Sequence, residues 1–181
     1  EHVKANTEIR LRAKAVLDRA LGNALPDNKI AVAREALAID PDFGDAYQVI
    51  GYAYKAKAAE GGLSRDEYRE LYDKSFKAFT RAIELTPTLA YSYYERGWIT
   101  AEIRGDKAGA AQDYEKVLQY DPESSIGYFA RGEIEYNQGK TEEAIADYTR
   151  GLDIFPDHME SVGNRGNLYA KKGESRRAIE D

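Results

Sequence analysis

The sequence predicts an all-α chain built as a stack of two-helix repeats. Three observations carry that expectation. Residues recur at a fixed period: Ala110, Ala144 and Ala178 step by 34, and so do Asp113, Asp147 and Asp181. Small residues keep to columns, Gly51, Gly97, Gly132 and Gly166 in one, Ser75, Ala110, Ala144 and Ala178 in another. Apolar positions follow helical spacing, with no alternating run of the kind a half-buried strand needs. A period of this length marks an array of short helix pairs, each too small to bury its apolar face except against a neighbour.

The units follow in order. Residues 7–21 read as a first helix and "NKIAVAREALAIDP" as its partner, which gives a repeat over residues 7–43. The second repeat, 44–89, carries a 12-residue insertion, because Pro41 and Pro87 are 46 apart where 34 is the period. Within the insertion Ser64 and Glu67 have capping-box spacing, so a helix starts there and runs to about Leu85. The helix before it is expected to extend past Tyr54 to about Ala59, so that the insertion lengthens a hairpin. The third repeat spans 90–124 and the fourth 125–158. In the fourth, Gly139 stops the first helix, Thr141 is expected to cap the second, and Pro156 ends the unit. A fifth, 159–181, is incomplete: Ala178 and Asp181 match the start of a second helix that does not continue. Either a continuation is missing, or this uncapped end is buried by self-association.

The pattern resembles the tetratricopeptide repeat, whose 34-residue unit reads W-x2-L-G-x2-Y, then A-x3-F, then P. Tyr47, Ile50, Gly51 and Tyr54 match the first half; Ala144, Tyr148 and Pro156 match the second. The resemblance covers about residues 29–181. It implies a single array, 1–181, forming a right-handed superhelical solenoid of four to five repeats. One departure recurs. Where the family has Leu before the column glycine, three repeats have Arg96, Arg131 and Arg165, and the same three carry Asp113, Asp147 and Asp181. Repeats with Val16 and Ile50 have Val32 and Ala78 instead. Charge enters both columns or neither, which implies ion pairs Arg96–Asp113 and Arg131–Asp147 bridging the two helices of a repeat.

Nothing in the sequence points to catalysis, a cofactor or a metal. There is no cysteine, hence no disulfide, thiolate nucleophile or cysteine-bound zinc. His2 and His158 lack metal-ligand spacing. Phosphate-cradling loops and nucleophile elbows are absent. Glu142 with Glu143, and Asp66 with Glu67, fall where the first turn of a helix favours negative charge. A net charge of −6 disfavours nucleic acid, and the cluster Lys171, Lys172, Arg176, Arg177 reads as solvated surface. No apolar run reaches the roughly 20 residues of a membrane helix. The chain begins at Glu1 rather than Met, so a targeting segment is free to have been removed; the cytoplasm is favoured, with the periplasm or the exterior as alternatives.

What remains is surface. The resemblance implies that first helices line a concave groove for peptides. The family's chaperone-tail clamp needs Lys, Asn and Arg there; this chain has Gln48 and Tyr52, Tyr94 and Trp98, Phe129 and Glu133, and Gly163 and Asn167, with only Asn164 and Asn167 compatible. Instead, Tyr91, Tyr94 and Trp98 make an aromatic stripe on one helix. Tyr52 flanks it on one side, Ile126, Phe129 and Tyr136 on the other, with Lys55, Glu102, Glu133 and Asn137 as a polar rim. The expected function is a non-enzymatic scaffold that binds a protein or peptide through mainly apolar and aromatic contacts. The alternative is the regulatory or substrate-docking region of a larger enzyme, such as a glycosyltransferase, kinase or protease adaptor.

Overall fold

A computed structural model describes residues 2–20, 22 and 24–181, with side chains described from Asn6 onward except at Ala20. Leu21, the expected end of the first helix, lies outside the described residues, as does the side chain of His2. Among the described residues every regular element is helical. The helices are α1 His2–Leu17, α2 Pro26–Ile39, α3 Gly44–Ala59, α4 Arg65–Leu85, α5 Ala90–Trp98, α6 Lys107–Tyr120, α7 Ser125–Asn137, α8 Thr141–Ile154, α9 Met159–Lys171 and α10 Ser175–Glu180. A 3-10 turn, Asp18–Ala20, follows α1, and a wider π-type turn, Ile99–Ile103, follows α5.

The chain divides into two units, residues 1–99 and 100–181. In the first, consecutive helices from α1 to α5 pack on one another. The tightest approach is between α3 and α4. Gly51 lies against the Phe79 ring, where a Cβ would come 2.7 Å from a ring carbon. Ser75 Oγ donates to the Gly51 carbonyl at 2.8 Å, which satisfies a buried hydroxyl without widening the gap. Arg10 pairs with Asp40 and covers the Phe43 ring, which fastens α1 over the turn after α2.

The insertion is helical throughout its arms. α3 runs to Ala59, and α4 begins after Ser64, whose Oγ accepts from the Glu67 N–H while its own N–H donates to the Glu67 carboxylate. Gly61 and Gly62, both at positive φ, make the tip.

In the second unit, consecutive helices from α6 to α10 pack in the same way. Its core gathers Phe129, Ala144, Ile145, Tyr148, Leu152 and Leu168. Gly139, at φ 74°, leads out of α7 as anticipated, but the cap of α8 is a correction. Lys140 holds the N-cap position with no side-chain bond, and Thr141 is already the first helical residue. The left-handed glycine consumes one residue of the short connection, which moves the helix start forward.

Candidate functional site

The arrangement around Trp98 is assembled within the first unit. Gly51 faces Phe79, and the adjacent Tyr52 meets the same ring in an edge-on arrangement, 5.3 Å between centroids. From Tyr52 the rings continue to Tyr91 at 5.8 Å and on to Tyr94 at 5.5 Å. Tyr91 is 46% exposed; Tyr52, Tyr94 and Trp98 are half-buried. Two polar links tie α3 directly to α5. Gln48 Nε2 donates to Ser92 Oγ at 2.9 Å, and Lys55 Nζ donates to Glu95 Oε2 at 2.5 Å.

Glu95 was not anticipated. Its side chain is only 5% exposed, against 28% for Lys55. The Lys55 ammonium also stands 4.4 Å from the centre of the Trp98 ring, an arrangement that attracts a cation to the negative face of the indole. The Trp98 ring in turn packs against Tyr72, 5.7 Å away, and Tyr72 against Tyr68, 4.8 Å away. Both tyrosines come from the early turns of α4 that the insertion lengthened. A signal for Glu95 existed: Tyr91, Glu95 and Trp98 stand at i, i+4 and i+7, one stripe of a helix. Tyr68 and Tyr72 gave none, since the partner of an inserted hairpin has no column in the repeat.

Burial raises the Tyr52 hydroxyl pKa well above its ordinary value, and the nearby Glu95 carboxylate adds to it. Tyr91 shifts upward for the same two reasons. Tyr72 is pushed up to about 12 by burial and by its hydrogen bond with Tyr68. At neutral pH all three stay protonated.

The remaining anticipated site residues belong to the second unit. Phe129 requires correction: it is 6% exposed, its ring stacks on His158 at 4.1 Å, and it fills the space left by Gly151. It is core, because a glycine on α8 admits the ring that a larger residue would exclude. His158 is held there as the N-cap of α9, its Nδ1 accepting from the Ser161 N–H. Ile126 is half-buried. Tyr136 packs at the margin of the core with Lys171 Nζ 5.0 Å from its ring centre. Glu102, Glu133 and Asn137 are exposed, and Asn137 donates to the Glu133 carbonyl within α7.

Two charged pairs stiffen this unit. Arg131 forks onto Asp147, 2.5 Å from Nε and 2.8 Å from Nη2. Arg165 forks onto Asp181 in the same way. The hydrogen bonds raise both guanidinium pKa values further. Arg96 lies over the Tyr93 ring at 5.6 Å. Because Arg96 and Asp113 fall in different units, their pairing stays an expectation. Beside the Arg131 fork, Glu135 has a buried carboxyl oxygen, Oε2, without a hydrogen-bond partner. Burial, with Asp147 next, pushes its pKa up to about 7 against the opposing pull of Arg131.

Among the described residues there is no cluster of metal-binding side chains, and no helix is long and apolar enough to cross a membrane. Comparison with known proteins agrees with the repeat pattern. Residues 99–158 match the family model described as tetratricopeptide repeat. The chain is 33% identical over 101 residues to small glutamine-rich tetratricopeptide repeat-containing protein 2 of Saccharomyces cerevisiae, covering 56% of this chain and 29% of that protein. It spans less than two thirds of the length of the curated relatives it matches. Among solved structures it is similar to the MamA protein, with a TM-score of 0.69 at 19% identity, over 96% of this chain and 88% of the other. It is also similar to YrrB, described as a tetratricopeptide repeat protein with an unusual peptide-binding site, with a TM-score of 0.64 at 20% identity over 86% and 73% of the two chains.

Proposed function

We propose that this tetratricopeptide repeat protein is a non-catalytic docking module, and that it holds an extended segment of a partner protein against the aromatic face of α3 and α5. The observation that carries the reading is the ring series Tyr52, Tyr91 and Tyr94 with Trp98 beside it, partly open to solvent on helices whose other faces are packed. Solvated helix faces are ordinarily polar. Aromatic rings lose little conformational freedom on contact and bury large areas, which makes Tyr and Trp favoured anchors. Further support comes from YrrB, a protein of similar fold described as binding a peptide. The face is proposed from first-unit residues alone, with Lys55 at its edge.

A randomised peptide library selected on the immobilised chain tests this. Selected peptides should lose about tenfold or more in affinity on Trp98→Ala and on Tyr91→Ala, the range of an interface hot spot. The circular dichroism of both variants should keep its helical form. Peptides that bind the variants undiminished would remove this face from consideration. A second reading is that the same surface serves as the regulatory or substrate-docking region of a larger enzyme, with which the 29% coverage of the yeast relative is compatible. The sequence of the parent gene separates the two.

A further inference from the structure

One lysine ammonium joins a buried carboxylate to an indole face: Lys55 Nζ donates to Glu95 Oε2 at 2.5 Å and stands 4.4 Å from the Trp98 ring centre. Tyr52, Tyr72 and Tyr91 lie near enough to feel the Glu95 charge. An anion so deeply covered requires a cation. The chain's own Lys55 supplies one, at the end of a flexible stem and with 28% of its side chain exposed. The same ammonium also occupies the face of Trp98. Carboxylate plus aromatic wall is the chemistry by which proteins take up guanidinium and ammonium groups from a ligand.

Resting on the docking reading above, we propose that this cluster is a receptor for an arginine side chain of the partner, with Lys55 as an internal stand-in that the arginine displaces. An arginine outcompetes a lysine here for two physical reasons. Its planar fork makes two parallel bonds to a carboxylate where an ammonium makes one point contact, and its flat face stacks on indole at less cost in lost hydration. Displacement leaves Lys55 free to swing into solvent, since 28% of it is already exposed. The insertion has a place in this scheme. By lengthening α4 it supplies Tyr68, which packs on Tyr72, and Tyr72 in turn packs on the Trp98 ring.

Trp98 is the sole tryptophan, so its fluorescence reports this cluster alone. The probes are N-acetyl-arginine amide, the neutral citrulline analogue of the same shape, and N-acetyl-leucine amide. The arginine probe should shift Trp98 emission saturably, and the citrulline and leucine probes should bind about tenfold more weakly or not at all. Glu95→Gln should abolish the arginine response. Lys55→Met, which removes the competitor, should tighten it about tenfold. Should Lys55→Met lose its helical circular dichroism because Glu95 is stranded, Lys55→Arg takes its place; a tethered guanidinium should weaken the probe about tenfold. An equal response to citrulline, weaker binding in Lys55→Met, or an unchanged response in Lys55→Arg would each overturn the assignment. If library peptides depend on Trp98 while the arginine probe fails, the arginine receptor is lost and the docking face stands. If nothing engages Trp98, both are lost.

Discussion

Arg131 and Asp147 join α7 to α8 through a pair of parallel hydrogen bonds, with the Asp147 side chain 8% exposed. Such a pair adds little when compared with well-packed apolar residues, yet removing one member strands the other. Arg131→Ala should therefore cost about 3 kcal/mol of unfolding free energy in a urea titration, whereas replacing both residues together should cost less than the single change. Glu135, nearby, responds to pH. Its carboxyl keeps a proton up to about pH 7 in the folded chain, while the unfolded value is 4.5. As pH rises from 4.5 to 7 the unfolded state loses that proton first, so the stability present at low pH is drawn down and then levels off. Glu135→Gln cannot lose a proton. Thermal melts should show the variant above the parent chain at pH 8, with the gap closing toward pH 4.5.

At the scale of elements, the hairpin α3–α4 turns on one close approach. Gly51→Ala places a methyl carbon 2.7 Å from the Phe79 ring, and Phe79 is fully buried. Overpacking of that kind should destabilise by about 1–3 kcal/mol, with circular dichroism still helical below the melt. Ser64→Ala removes the first half of the capping box and should cost about 1 kcal/mol, read from the same melts. Both helices of this hairpin were legible in the sequence, because a glycine column, a capping box and helical spacing all act over a few residues. The fates of Tyr72, Phe129 and Glu95 were less legible. Each depends on what a neighbouring helix offers: an inserted turn behind Trp98, a glycine at 151 beneath the Phe129 ring, a lysine from α3 over Glu95. A column of similar residues says which helix faces another. It does not say which side chain that neighbour leaves room for.

For the molecule as a whole, charge is unevenly shared. Residues 1–99 hold fifteen Lys and Arg against fifteen Asp and Glu, and residues 100–181 hold eleven against seventeen, so the whole excess of −6 belongs to the second unit. The aromatic face therefore lies on the electrically balanced unit, which suits contacts set by rings rather than by bulk attraction. Affinity of library-selected neutral peptides should then change less than about threefold between 50 and 500 mM salt, since screening acts on exposed charges; a steep loss would point to long-range electrostatics instead. The packing scheme also has a consequence in time. Within each unit the principal contacts join consecutive helices, α1 to α2, α2 to α3 and onward. Chains dominated by such local contacts close only short loops, and they fold quickly for their size. During synthesis each helix meets its partner as soon as the next dozen or so residues leave the ribosome, so a nascent chain need never wait for a distant segment before hiding its apolar faces.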